Sequence, residues 1–181
     1  QQADMDFASK NDITENEYFE MIKNKTGVLI GCSFMFGGIV AEANDLNTNL
    51  LYQIGLNLGI AFQLEDDLLD CFGDQEKFGK KIGGDILENK KTLLFIRAKQ
   101  LLNPSDSKNL TRLYSSKFTD DLNKIPDVRR LFEKCNIPEL ISAEIENFTN
   151  ISLKTLDELR ISDKKKDFLR DFANSLMKRN I

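Results

Sequence analysis

Glycine and proline divide this chain into two parts, and this division constrains the fold more than any other feature of the sequence. All ten glycines lie at or before Gly84, and all three prolines lie after it, at Pro104, Pro126 and Pro138. Glycine lets two helix backbones approach closely, whereas proline stops or bends a helix. The first part therefore predicts long, closely packed helices, and the second part predicts shorter helices with defined ends.

Helical signals continue along the whole sequence, beginning with the capping box formed by Thr14 and Glu17. There is no strand-like alternation of apolar and polar residues, and no Asn-Gly or Asp-Gly dipeptide. The sequence therefore predicts an all-α fold with the glycine-bearing helices at its core. The predicted helices cover residues 14–43 with a break near 26–27, 47–72, 89–102, 105–113, 119–134 with a bend at Pro126, 137–159 and 162–179. Caps are expected at Asn47 or Thr48 and at Ser162, Ser105 is expected to open its helix, and residues 73–84 are expected to form a polar loop.

The chain contains no histidine, which excludes several classes of catalytic site. Neither a Ser-His-Asp or Cys-His nucleophilic site nor a His-ligated zinc site can be built within it. The net charge of −4 argues against a nucleic-acid-binding protein that works by broad phosphate neutralisation. Any chemistry must therefore use carboxylates, lysine or arginine, amides, hydroxyls or thiols.

Cysteine usage and hydropathy indicate the compartment. Cys32, Cys71 and Cys135 are widely spaced and form no Cys-x-x-Cys pair, so a reducing, cytoplasmic compartment is expected. Two uncharged runs cover residues 26–41 and 46–64. The first is too short to span a bilayer and amide side chains interrupt the second, so no membrane span is predicted.

Three aspartates and a glutamine share one face of the predicted helix that ends near residue 72. Gln63, Asp66, Asp67 and Asp70 stand at positions i, i+3, i+4 and i+7. Like charges at this spacing repel, and the helix dipole disfavours anions near a C-terminus. A divalent cation would relieve both effects, and a set of oxygen-only ligands favours Mg²⁺ when a phosphate shares its shell. For these residues alone, a solvated acidic helix end is the more common interpretation.

A segment rich in lysine and glycine follows the aspartates. Residues 79–90 read Gly-Lys-Lys-Ile-Gly-Gly-Asp-Ile-Leu-Glu-Asn-Lys. Lysine supplies a compact positive charge for phosphate oxygens, and glycines let the backbone close over an anion. Together with a metal on the carboxylates, this segment favours binding of a diphosphate–metal complex. A surface connection between two helices is the alternative.

Four segments, in order along the chain, resemble the trans-isoprenyl diphosphate synthases, or polyprenyl synthetases. Residues 62–90 resemble the second aspartate-rich motif of that family and the loop after it. Gln1-Gln2-Ala3-Asp4 resembles the end of a Gly-Gln-x-x-Asp motif, residues 18–26 resemble a Tyr…Met…Lys-Thr segment, and residues 59–63 resemble the approach to the aspartates. The resemblance implies an isoprenoid-synthase-type helical bundle without its N-terminal helices. Residues 1–181 would be the C-terminal part of a single domain, with a flexible diphosphate loop at 73–84 and C-terminal helices at 85–181.

The resemblance also implies a prenyltransferase reaction and roles for individual residues. Family members use Mg²⁺ to ionise an allylic diphosphate, and the double bond of isopentenyl diphosphate attacks the resulting carbocation. By position, Asp66 is expected to be the main Mg²⁺ ligand, with Asp67 and Asp70 supporting it through metal-bound water. The other expected site residues are Lys25 and Lys81 on the allylic diphosphate, Lys90 as further positive charge, Thr26 and Gln63 beside the reacting carbons, and Gln1 and Asp4 lining the metal side of the cavity.

The remaining expectations follow from segments of the family that this chain does not match. The first aspartate-rich motif and the residues that bind isopentenyl diphosphate would precede Gln1, so residues 1–181 alone are expected to be inactive and the full-length parent active. A homodimer is expected from the resemblance. The alternatives are a non-catalytic partner subunit of a prenyl synthase and a class I terpene cyclase. The complete second motif argues against the partner subunit, and terpene cyclases usually carry an Asn/Ser/Glu metal motif instead.

Overall fold

The computed structural model describes residues 10, 12–74, 82–115 and 121–177. Every regular element in these ranges is helical, which confirms the all-α prediction. The α-helices are α1 (Glu15–Ile22), α2 (Val28–Val40), α3 (Asp45–Phe72), α4 (Gly84–Leu87), α5 (Leu93–Leu101), α6 (Pro104–Leu113), α7 (Asp121–Lys134), α8 (Ile137–Asp157) and α9 (Asp163–Met177). Of the loop predicted at 73–84, residues 75–81 lie outside the described residues.

The first helical stretch begins and breaks where the sequence predicts. The Thr14 N–H donates to Glu17 Oε2 (2.9 Å), and the Glu17 N–H donates to Thr14 Oγ1 (3.2 Å), so the capping box is formed. The predicted break near residues 26–27 is a π-helical turn, Lys23–Gly27, that joins α1 to α2. Single π turns inside α-helices are frequently found at functional sites.

Two helices begin earlier than predicted, because asparagine side chains cap them. The Asn44 Oδ1 accepts the N–H of Asn47 (2.9 Å) at the start of α3, and the Asn103 Oδ1 accepts the N–H of Asp106 (3.0 Å) at the start of α6. Each bond satisfies an N–H that has no partner inside the first helical turn. The cap predicted at Asn47 or Thr48 is therefore wrong, and α6 begins one residue before the start predicted at Ser105. By contrast, α9 begins directly after Ser162, as predicted.

The prolines of the second part lie where the helical pattern places them. Pro104 occupies the first turn of α6, and Pro138 the first turn of α8. Proline is tolerated there because a first-turn N–H has no intrahelical partner. Pro126 lies inside α7, and the bend predicted at this residue stays a prediction.

The chain divides into two compact units. The first unit comprises the described parts of residues 1–18 and 66–142, and the second comprises residues 19–65 with the described part of 143–180. Within the second unit, α2 and α3 pack through glycines. A Cβ at Gly59 would lie 2.7 Å from the Cα of Gly27, and a Cβ at Gly55 would lie 2.9 Å from the Cα of Gly31. The buried core of this unit consists of Ile54, Leu58, Leu156, Leu159 and Ala173.

The first unit holds the end of α3 by aromatic contacts. The guanidinium of Arg129 in α7 lies 5.1 Å from the centroid of the Phe72 ring, and the rings of Phe95 and Tyr114 are 4.4 Å apart. An arginine over an aromatic face is attracted by the quadrupole of the ring. The contact of Arg129 with Phe72 joins the C-terminal turn of α3 to α7, and the contact of Phe95 with Tyr114 joins α5 to the end of α6. None of the described helices is both long enough and apolar enough to cross a membrane.

Candidate functional site

Asp67 is the most buried of the three aspartates at the end of α3. It is buried, and one oxygen, Oδ2, accepts a hydrogen bond from the hydroxyl of Tyr18 at 2.6 Å. Tyr18 itself is fully buried in α1. This hydrogen bond from a neutral hydroxyl orients the carboxylate. Asp66 is half-buried on the same turn of α3.

Asp70 joins the end of α3 to the start of α4 by hydrogen bonds. Its backbone carbonyl accepts the N–H of Gly83 (2.6 Å), and its Oδ2 accepts the N–H of Asp85 (2.9 Å). Burial raises the pKa of Asp70, although hydrogen bonds from the backbone of Asp85 and Gly84 act in the opposite direction. Gly83 has φ 82°, and a Cβ there would lie 2.6 Å from Ile125. Only glycine fits this junction without strain.

Asp85 links this junction to Lys90. The ammonium of Lys90 donates to Asp85 Oδ1 (2.7 Å) and pairs with Glu88 Oε2 (3.0 Å), and the Lys90 N–H donates to the Asp85 carbonyl (2.9 Å). Burial alone would lower the pKa of Lys90, but these hydrogen bonds outweigh burial and raise it. Lys90 is therefore a fixed cation, connected through Asp85 to the carboxylate of Asp70.

Thr26 and Gln63 meet in the second unit. The hydroxyl of Thr26, in the π turn, donates to Gln63 Oε1 at 2.8 Å. The glycine contact of Gly27 with Gly59 lies directly beside this pair and brings the two backbones together. Lys25, the residue before Thr26, is exposed. The π turn thus presents a cation next to a hydrogen-bonded hydroxyl–amide pair.

The residues at the end of α3 fit Mg²⁺ as the cation. Among the described residues, no group of three or more carboxylate or thiol side chains is arranged to hold a metal ion by itself. Asp67 accepts the hydroxyl of Tyr18 and Asp70 accepts the N–H of Asp85, so both carboxylates are oriented by the protein. Mg²⁺ is usually held by one or two carboxylates and fills the rest of its shell with water and substrate phosphate oxygens. A metal site at the end of α3 would therefore combine one or two of its carboxylates with water and phosphate oxygens.

Several predicted site residues are described and others are not. The described ones are Lys25, Thr26, Gln63, Asp66, Asp67, Asp70 and Lys90. Gln1, Asp4 and Lys81 lie outside the described residues. The structure brings Thr26 to Gln63, and it joins Asp70 to Lys90 through Asp85.

Sequence reasoning assigned no role of their own to four residues of this network: Tyr18, Asp85, Asn89 and Lys124. Tyr18 bonds Asp67 across 49 residues, and Lys124 bonds Asn89 across 35 residues. No helical or strand period reports contacts at such separations. A local signal was available for Asp85, because an acidic residue directly after Gly-Gly is well placed in the first turn of a helix.

Comparison with known proteins adds a family to this geometry. The sequence profile of the polyprenyl synthetases matches residues 1–131. The geranylgeranyl diphosphate synthase of Saccharolobus solfataricus is 36% identical over 166 residues, which are 91% of this chain and 49% of that protein. This chain therefore spans about half the length of the curated relatives it matches.

Solved structures give the same result. A geranylgeranyl pyrophosphate synthase superposes with a TM-score of 0.91 at 39% identity, over 100% of this chain and 56% of that one. The geranylgeranyl pyrophosphate synthase of Corynebacterium glutamicum, solved with isoprenyl diphosphate and magnesium, gives a TM-score of 0.88 at 28% identity, over 99% and 51% of the two chains. The helices described above are thus similar to part of these synthases.

Proposed function

Because this chain belongs to the polyprenyl synthetase family, we propose that the whole protein is a prenyl diphosphate synthase that joins isopentenyl diphosphate to an allylic diphosphate. The observation that carries the proposal is the network at the end of α3. There Asp70 is connected through Asp85 to the fixed cation Lys90. Ionisation of a diphosphate requires carboxylates that bind a metal ion and, next to them, a lysine in a fixed position.

Mg²⁺ is the proposed metal, and it would supply positive charge to the diphosphate as that group departs. Asp66 would be its main protein ligand, and Asp67 and Asp70 would support it. The hydroxyl of Tyr18 and the N–H of Asp85 hold these supporting carboxylates in fixed orientations. Such outer contacts set the geometry of a metal site as much as the ligands do.

The proposed reaction breaks the C1–O bond of the allylic substrate, and the electron pair leaves with the diphosphate. The double bond of isopentenyl diphosphate then forms the new carbon–carbon bond, and loss of a proton restores a double bond. Lys25, Lys81 and Lys90 would bind the departing diphosphate as positive charges. The hydroxyl of Thr26 donates to Gln63 Oε1 at 2.8 Å, so each side chain holds the other in one orientation. Their oxygens would therefore be preorganised beside the reacting carbons.

An apolar stripe in the second unit supports an amphiphilic substrate. Helix α2 contains no charged residue, yet it exposes Leu29 (70%), Phe36 (60%) and Val40 (85%). These positions are separated by seven and four residues, so they share one face of the helix. We propose that a prenyl tail lies along this face in the whole protein.

The remaining expectations concern assembly and compartment. We propose a homodimer on the strength of the family resemblance, and sedimentation of the whole protein tests it.

A cytoplasmic location is supported by three cysteines that are free, one of which, Cys71, is buried. Burial raises the pKa of the Cys71 thiol, so this group is poorly reactive.

Turnover of the whole protein with isopentenyl diphosphate, an allylic diphosphate and Mg²⁺ tests the activity directly. We expect Asp66→Asn to lower the rate of product formation by at least about 100-fold, because the main metal ligand loses its charge. Asp171→Asn, at an exposed position of α9, is the matched control and should leave the rate unchanged. Equal rates for the two variants would contradict the role of Asp66. A whole protein that is inactive alone but raises the turnover of another synthase would favour the partner subunit.

A further inference from the structure

Lys124, in the first part of α7, is one of the largest fully buried side chains in the described residues. It is 1% exposed. Its ammonium donates to Asn89 Oδ1 (2.8 Å) and to the Leu87 carbonyl (3.4 Å), and it lies 5.7 Å from the centroid of the Tyr114 ring. Burying an ammonium costs free energy unless it is hydrogen-bonded, and an apolar side chain of the same length would fill this space at less cost. The polar contacts of this lysine therefore call for an explanation.

The acceptors of Lys124 lie in the short segment that leads to Lys90. Leu87 is the last residue of α4, where backbone carbonyls lack partners inside the helix. Asn89 has φ 58°, a left-handed conformation that turns the chain directly before Lys90. By bonding the carbonyl of Leu87 and the side chain of Asn89, Lys124 holds both sides of this turn.

The neighbouring residue of α7 contacts the other end of the same segment. Ile125 lies against Gly83, since a Cβ at Gly83 would be 2.6 Å from Ile125 Cδ1. Helix α7 thus contacts both ends of residues 83–89, the start through Ile125 and the end through Lys124. Between these points lies Asp85, which bonds both Asp70 and Lys90.

We propose that Lys124 is a positioning residue of the diphosphate site, which acts by fixing the Leu87–Asn89 turn and hence the place of the Lys90 ammonium. The proposal rests on the proposed function, because it assigns Lys90 to the diphosphate. Lys124 itself does not touch the substrate. Its effect on turnover passes through Lys90.

Hydrogen exchange of the chain tests the structural half of the proposal without any turnover. Lys124→Met keeps the length and packing of the side chain and removes its N–H donors. We expect amides of residues 83–90 to exchange about tenfold faster, because hydrogen bonds from a charged group are lost, while amides of α6 keep their rates. Lys134→Met is the matched control, since this exposed lysine of α7 pairs with Asp106. Unchanged exchange at 83–90, or an equal rise in both regions, would overturn the proposal.

A double-mutant cycle in the whole protein tests the functional half. Lys124→Met should lower kcat/KM for the allylic diphosphate about tenfold, and adding it to Lys90→Ala should cause no further loss. Asn89→Gly, which keeps the positive φ and removes the acceptor, should reproduce the effect of Lys124→Met. If the double variant instead lost kcat/KM by the product of the two single losses, Lys124 and Lys90 would act independently. Lys124 would then act only on stability, and the proposal would be overturned. A wild-type protein without turnover would instead refute the proposed function, and hydrogen exchange would still decide whether Lys124 fixes the turn.

Discussion

Replacing Gly59 by alanine probes the glycine contact that brings α3 to the π turn. An added Cβ would lie 2.7 Å from the Cα of Gly27 and 3.3 Å from its backbone nitrogen. Both atoms belong to backbone, so no side chain can rotate away from the added methyl group. The two helices must separate, and that separation disturbs the neighbouring bond between Thr26 and Gln63.

The magnitude follows from two opposed effects. Overpacking a close contact costs about 1–3 kcal/mol, and the contact with backbone places this site near the upper end. Alanine regains up to about 1 kcal/mol because it is a better helix former than glycine. We therefore expect Gly59→Ala to lower the free energy of unfolding by about 1–2 kcal/mol.

Gly37→Ala is the matched control in the same unit. No atom lies within 4 Å of a Cβ built at Gly37, so only the helix preference of alanine acts there. We expect this variant to be more stable than wild type by about 0.5–1 kcal/mol. For a chain of this length the two variants should then differ by roughly 5–10 °C in Tm.

Thermal unfolding followed by circular dichroism at 222 nm measures the difference. Turnover of the whole protein adds a functional readout, since Gly59→Ala should lower kcat through Thr26 and Gln63, whereas Gly37→Ala should not. A Gly59→Ala protein that melts at or above the temperature of the Gly37→Ala protein would refute the reasoning about backbone contact.

Two further predictions concern the start of α1. Tyr18→Phe removes the hydrogen bond to the buried carboxylate of Asp67 and should lower the free energy of unfolding by about 1–3 kcal/mol in a denaturant titration, whereas Tyr52→Phe, at a half-buried position, should change it by less than about 0.5 kcal/mol. The pKa of Glu17 is lowered by hydrogen bonds from the N–H and hydroxyl of Thr14, so its stabilisation is present above the unfolded value of 4.5 and is lost as pH falls through the lower folded value. Glu17→Gln should therefore reduce the drop in Tm between pH 7 and pH 4, and an unchanged drop would contradict the assignment.

Local signals in the sequence predicted most of the helices. The capping box at Thr14 and the break at residues 26–27 depend on neighbouring residues, and both are confirmed. The starts of α3 and α6 were placed too late because several good caps stand within four residues of each other, and the sequence does not rank them. In the structure Asn44 and Asn103 take the role.

The site was less accessible to sequence reasoning, because its contacts are non-local. The aspartates are found from helical spacing, but the donors that orient them come from distant segments, such as Tyr18 for Asp67. The short helix α4 was missed as well, since its four residues are too few to show a period. Its position is set by Asp70 and by α7, which no local pattern reports.

Three carboxylates at the C-terminal end of a helix oppose both each other and the helix dipole, yet this chain holds two of them with neutral donors. The hydroxyl of Tyr18 donates to Asp67 and the N–H of Asp85 donates to Asp70, and neither donor carries a charge. Ammonium or guanidinium donors in these two places would stabilise the helix end more, but they would also weaken its attraction for a divalent cation. The ammonium of Lys90 instead bonds the carboxylate of Asp85, the residue whose N–H donates to Asp70. In the function proposed above, the carboxylates at the helix end would bind the metal and Lys90, held on Asp85, would bind a phosphate.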